Sequence, residues 1–176
     1  MLKPTHRAFN FAAANGVLFG AVLLHPEWVD TTDLLGTVGR ISLIQAGAVL
    51  SASWPDHLEI VHRGFSHSLW VVLLLGAGTL CLSPYPLLFA LAIGITLGWF
   101  FHLFGDAFST AGVAWLYPIQ NYRRYEGGAF CVKGWRGPFL PLYKVGDPAF
   151  SFMRVLWWIL GVVLMVGIYD RIGGLL

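Results

Sequence analysis

Charge is scarce in this chain. Asp, Glu, Lys and Arg make up 11% of its 176 residues, against about 25% in an ordinary soluble domain, and none of the four occurs between Arg63 and Asp106. A soluble core cannot hide an uncharged run of that length, whereas a bilayer can. Cysteine is nearly absent: Cys81 and Cys131 have neither CxxC nor zinc-finger spacing, so no disulfide scaffold and no thiolate metal site is indicated. Internal repeats and low-complexity tracts are lacking, and the composition excludes intrinsic disorder, collagen-like and coiled-coil architectures. What is abundant is apolar and aromatic. The chain is 57% hydrophobic, with eight Trp, thirteen Phe and six Tyr, and its mean hydropathy is +0.69. Rings in that number suit a protein with two membrane–water interfaces.

Runs able to cross about 30 Å of hydrocarbon predict an all-α integral membrane protein, a single domain of about five transmembrane helices. The spans are expected at about 8–24, 34–52, 68–82, 86–106 and 149–169. The first follows Lys3 and Arg7 and ends in Leu23-Leu24-His25-Pro26 rather than a small-x-small cleavage site, so it reads as an uncleaved helix. Arg40 and Arg154 stand near span ends, where a long side chain reaches the headgroups. Ser83-Pro84-Tyr85-Pro86 breaks the run from Ser68 to Phe104 into two antiparallel helices, because proline supplies no helical N–H.

Counting Lys and Arg on alternate sides of these spans predicts a cytoplasmic N-terminus. Nine cations (Lys3, Arg7, Arg63, Arg123, Arg124, Lys133, Arg136, Lys144 and Arg154) then share the inner side, and Arg40 and Arg171 fall outside with Glu27, Asp30 and Asp33. Cys81 and Cys131 lie at opposite faces and cannot pair within one chain. The long connection, residues 112–148, interleaves basic and aromatic residues with Gly and Pro. It reads as an interfacial loop on anionic headgroups, or as a wall guiding an anionic substrate. Membrane lipid is the expected partner; no nucleic-acid partner is expected.

The ligand-type residues converge on that inner face. His6 begins the first helix there. Asp56, His57 and Glu59 follow the second, His62 and His67 precede the third, and His102 and Asp106 end the fourth. Five of the six histidines therefore gather on one side, and only His25 falls on the other. His102 and Asp106, at i and i+4, project from one helix face and can chelate one cation. His62 and His67 would diverge by roughly 140° on a continuous helix, and Gly64 permits a bend that turns both imidazoles inward. Ser66 reads as a helix cap or, less in keeping with its position, as a nucleophile. A lone His at a helix end is ordinarily just interfacial. Five, with two Asp from separate segments, point to a metal centre, because a charge ending a long apolar run is costly without a partner. Imidazole with carboxylate suits Zn²⁺ first, and Mn²⁺ or Fe²⁺ as well.

His62-Arg63-Gly64-Phe65-Ser66-His67-Ser68, with His102-x3-Asp106-x3-Thr110-x-Gly112, resembles the YdjM family of membrane-bound proteins regarded as metal-dependent hydrolases. The resemblance extends to His6 before a helix, to Pro55-Asp56 and to Tyr117-Pro118-Ile119, and covers roughly residues 1 to 125. It implies a bacterial inner-membrane protein, and some members stand under SOS (LexA) control. Many members carry a second acid two residues after the first. Here the run is Pro55-Asp56-His57-Leu58-Glu59, so His57 or Glu59 takes that place or the ligand is missing, and the site holds one ion or two.

The expected activity is hydrolysis of a phosphoester or ester bond of a lipid, with a metal lowering the pKa of bound water from 15.7 towards ~7. His6, Asp56, His62, His67, His102 and Asp106 form the metal-ligand pool. Arg63 is the expected anion clamp, since its planar fork matches phosphate oxygens. Asp56 and Glu59 are the candidate acids for proton transfer. The competing expectation is a non-catalytic membrane module whose structural metal ties helix ends together for a partner. A transporter ranks last, because such proteins place ionisable groups near the bilayer midplane.

Overall fold

The computed structural model describes residues 3–30, 32–58, 64–108, 113, 115–116 and 149–175. His62, Arg63, Glu59 and Cys131 lie outside the described residues, as does the 112–148 connection save Val113, Trp115 and Leu116. Among the described residues all regular structure is helical: α1 Lys3–Leu24, α2 Leu34–Ser51, the short α3 Trp54–His57, α4 Leu69–Cys81, α5 Pro86–Ala107 and α6 Ala149–Gly173. Four of the helical stretches, Pro4–Leu24, Leu34–His57, Pro86–Ala107 and Phe152–Gly173, are long and apolar enough to cross a membrane. The chain is an all-α membrane bundle. α4 is equally apolar but has 13 residues, about 20 Å of helix at 1.5 Å per residue.

Local chemistry fixes where the helices start. Asp33 caps α2 by accepting from the Gly36 N–H at 3.0 Å. Pro86 opens α5 where its missing N–H costs nothing. Between α4 and α5 the chain reverses within a tight turn, with Leu82 N–H on the Thr79 carbonyl and Tyr85 N–H on the Leu82 carbonyl, both at 2.9 Å. Thr79 and Thr96 hydroxyls join the two helices at 3.0 Å.

The tightest helix pair is α2 with α5, and glycine makes it possible. A Cβ on Gly47 would stand 2.7 Å from the Leu91 carbonyl oxygen, and one on Gly94 would strike the Ile44 carbonyl. Gly98 meets Ser51 Oγ and the Ala48 backbone in the same way. Small residues four apart on facing helices allow backbones to touch, which is how helices associate where lipid removes the hydrophobic driving force. α1 and α6 form a second pair, with Gly161 against the Phe11 ring and Phe9 edge-on to Trp157 at 5.1 Å.

A polar layer crosses the bundle between these pairs. Asn10 Nδ2 donates to the Gly98 carbonyl at 2.5 Å, Gln45 Nε2 to Asn15 Oδ1 at 2.7 Å, and Ser51 Oγ to the Gly47 carbonyl at 2.8 Å. Asn10, Asn15, Gln45 and Ser51 are all buried. Each bond offsets the cost of a polar group in an apolar surrounding. On one side of the layer lies an apolar cluster of Leu18, Val22, Val29, Ile41, Ile168 and Ile172. On the other lies the polar centre described next.

If the α2–α5 seam sets the fold, Gly94→Ala lowers the thermal unfolding temperature in detergent, at a cost of about 1–3 kcal/mol or more as overpacking predicts. Gly76→Ala, where nothing lies within 4 Å of the added Cβ, leaves stability unchanged or raises it by up to about 1 kcal/mol. Equal behaviour of the two variants would refute the seam.

Candidate metal centre

α2 stops at Ser51, and the chain turns through Ala52 and Ser53 into α3. That turn does two things. It presents Asp56 inward, and it leaves the Ala52 carbonyl without a helical partner, where His102 Nδ1 meets it at 2.7 Å. A carbonyl only accepts, so His102 donates from Nδ1 and turns Nε2 the other way, where the neutral ring would offer a lone pair. His67 comes from the short helical turn Phe65–His67. Trp99 Nε1 on α5 donates to the Ser66 carbonyl at 2.8 Å and fastens that turn to the helix bearing His102. Leu69 N–H, bonded to the Trp115 carbonyl at 2.8 Å, anchors the start of α4.

Ser66 does not cap α4. The helical turn moves the start of α4 to Leu69, so Ser68 holds the capping position and its own Oγ donates to the Phe65 carbonyl at 2.7 Å. Ser66 Oγ instead lies 3.2 Å from His67 Nδ1 and helps set the orientation of that ring.

The outcome is a knot of donors. His67 Nε2 and His102 Nε2 face each other at 3.1 Å, and Asp56 Oδ1 stands 3.4 Å from the first and 3.5 Å from the second. Asp106 Oδ2 lies 3.8 Å from both nitrogens. Donor atoms of these four residues all fall within 4.8 Å of one another. Two donors each 2.0–2.1 Å from one tetrahedral ion stand roughly 3.3 Å apart, so the spacing of Asp56, His67 and His102 fits a divalent cation. The chemistry fits too, because two carboxylates and two imidazoles in a buried site form a donor set whose negative charge a divalent cation would offset. His67 and His102 are fully buried, and Asp106 is 2% exposed. Trp99, Leu103, Ala107 and Val113 form an apolar cluster packed against Val71, Val72 and Leu75 of α4.

His6 is brought to the site but stands behind it. Its Nε2 is 3.2 Å from Asp106 Oδ1, the oxygen turned away from the four-donor group, and its ring stacks on His102 with centroids 3.9 Å apart. That places it outside the four-donor group and beside Asp106, where it can orient that carboxylate. His57 is exposed and outside the group. His25 is far away in the turn after α1, its Nδ1 2.9 Å from Glu27 Oε1 and its ring stacked on Trp28. The structure thus unites Asp56, His67, His102, Asp106 and His6, while His62, Arg63 and Glu59 lie outside the described residues. Sequence reasoning missed Trp99 and the Ala52 carbonyl. For Trp99 a signal existed: it lies three residues before His102 and so shares its helix face.

A multi-pass helical membrane protein carrying a buried His/Asp cluster at one end of its bundle is therefore the class to which this chain belongs. The family model described as YdjM inner membrane protein matches residues 16–173, and the chain belongs to that family. The match continues through α6, beyond the reach expected from the motifs, and begins after His6. No curated protein and no solved structure matches the chain.

Removing a donor should be selective. His67→Ala and His102→Ala each lower affinity for zinc at least tenfold, in keeping with changes to a ligand shell, while His25→Ala leaves it unchanged. Titration of the purified variants with a competing chelator checks this, and an equal loss at His25 would contradict the clustering.

Proposed function

We propose that the chain is a metal-dependent hydrolase whose site opens at the cytoplasmic face of the bacterial inner membrane, acting on a phosphoester or ester bond of a lipid. One observation carries the reading. Three donors, Asp56, His67 and His102, are packed within 3.5 Å of one another while Asp106 stands further off, shared with His6. Three close protein ligands, with Asp106 held back by His6, would leave a fourth position for water or substrate, as catalytic sites do. Asp56 is also the exposed member, its side chain 18% accessible, so the cluster meets its surroundings along that edge.

The surface at that edge suits lipid. Trp54, Leu58 and Phe65 are exposed large apolar residues on the segments that carry Asp56 and His67, and a cavity of about 450 Å³ lies against Trp54, His57 and Leu58. The cytoplasmic assignment rests on the charge distribution, with nine of the eleven Lys and Arg on that side. A bound divalent ion would supply Lewis acidity and an activated water. The chain's own residues do the rest. Asp56, His67 and His102 hold the ion, the Ala52 carbonyl fixes the His102 tautomer, and His6 holds Asp106 in place. The Glu59 carboxylate, or the Asp56 oxygen not on the ion, would take the proton, and Arg63 would clamp the anionic group of the substrate.

The full burial of His67 and His102 favours a second reading, a closed structural site that ties α3, the turn before α4 and the end of α5 together. Arg63→Lys separates the two, since it keeps the charge but loses the bidentate fork. Bound metal and melting temperature of Arg63→Lys stay at the wild-type values, while hydrolysis of vesicle phospholipid falls by one or more orders of magnitude. Unchanged hydrolysis removes Arg63 as the clamp, and absence of hydrolysis in the unmodified zinc-loaded protein across ester and phosphoester lipids supports the structural reading.

A further inference from the structure

At the end of the bundle away from the His/Asp cluster, α1, α2 and α5 part and leave a cavity of about 600 Å³. Pockets of 300–1,000 Å³ are the usual size for small-molecule sites. Its walls are apolar, including Leu18, Ile41, Ile44, Ile93 and Leu97, and polar groups appear at its mouth, where Trp28, Arg40 and Ser83 contribute. Along α5 the lining runs from Pro86 to Leu97, about 16 Å at 1.5 Å per residue. Half of a ~30 Å hydrocarbon core is about 15 Å. The cavity is therefore one leaflet deep, with its polar end at the headgroup level and its apolar end at mid-membrane. There it stops against the polar layer, where Gly98 receives Asn10 and Gln45 reaches Asn15. None of Asp56, His67, His102 and Asp106 lines it.

The mouth carries both signs of charge. Arg40 is 32% exposed, its Nη2 donates to Thr37 Oγ1 at 2.9 Å, and its Nη1 reaches Asp33 Oδ2 only at 3.5 Å. A guanidinium has five N–H donors, so donors remain for a phosphate. Asp33 lies against Arg40 and Asp30 is close enough to feel its charge, both exposed, while Glu27 is taken up by His25. The Thr32 hydroxyl at 2.6 Å, with the Thr32 and Asp33 amides, holds the Asp30 carboxyl below its ordinary range and keeps it ionised. One cation beside two carboxylates repels a purely anionic headgroup and complements a headgroup that has a phosphate and an amine.

We propose that this cavity binds one acyl chain of an aminophospholipid of the ethanolamine type, its phosphate on Arg40 and its ammonium facing Asp30 and Asp33. The site is independent of the metal centre and lies in the leaflet opposite to it. It would fill a void that the chain's own side chains leave open, and so fix the spacing of α1, α2 and α5.

The test is native mass spectrometry of the delipidated full chain in detergent, incubated with phosphatidylethanolamine or phosphatidylglycerol of identical acyl composition. The expected result is one phosphatidylethanolamine retained per chain, at a concentration at least tenfold lower than phosphatidylglycerol requires. Ala90→Phe places a ring in the cavity from a buried lining position, and should abolish retention. Arg40→Gln, at a partly exposed side chain, should weaken it at least tenfold with zinc binding unchanged. Undiminished retention by Arg40→Gln, or by Ala90→Phe of native thermal stability, overturns the proposal. Equal or tighter retention of phosphatidylglycerol also overturns it, as does absence of a retained lipid in the unmodified protein.

Discussion

Everything at the functional end of this bundle follows from the electrostatics of donors held together away from water. Asp106 and Asp56 are drawn to within 3.8 Å of two imidazole nitrogens, one of them on a ring whose other nitrogen is committed to the Ala52 carbonyl. Such a group is strongly unfavourable with no positive charge at its middle and favourable with one. The rest of the architecture serves to hold it. Glycine contacts bring the α2 and α5 backbones together, so that the carbonyl ending one helix meets a histidine projecting from the other. Trp99 then ties the His67 turn to the same helix.

The two halves of the molecule are built on different principles. At the His/Asp end, polar groups are set against one another, with His102 on the Ala52 carbonyl and Asp106 beside His6. At the other end, α1 and α2 are held by aliphatic packing around Ile41 and Ile168, and the gap left beside α5 is apolar. Asn10, Asn15, Gln45 and Ser51 separate these regions. A buried hydrogen bond there is worth little as net stability but sets register, because any sliding of one helix would strand both partners.

The helical fold was legible because its signals are local and strong. The absence of charge over residues 64–105, the proline turn at residues 84–86 and the Asp33 cap are all properties of short stretches of chain. Convergence of the His and Asp residues was legible too, since alternating spans carry every other connection to the same side. What could not be read was pairwise contact. Nothing in the order of residues says that His6 addresses Asp106 from behind while Asp56 faces His67, for both are acid–imidazole pairs brought together by tertiary packing. Ser66 was misplaced for a related reason. The helical turn at Phe65–His67 hands the capping position to Ser68, and two serines two residues apart carry the same local signal. The polar layer escaped notice because Asn10, Asn15 and Gln45 are isolated in apolar runs and acquire meaning only as partners across helices.

The central claim is that one divalent ion sits among Asp56, His67 and His102. X-ray absorption at the zinc edge of protein purified with one equivalent of zinc examines it most directly. The account predicts a shell of nitrogen and oxygen donors at about 2.0–2.1 Å, with the outer-shell scattering of two imidazoles and no sulfur. A sulfur shell, scattering from no imidazole, or failure of the chain to retain zinc at all would contradict it.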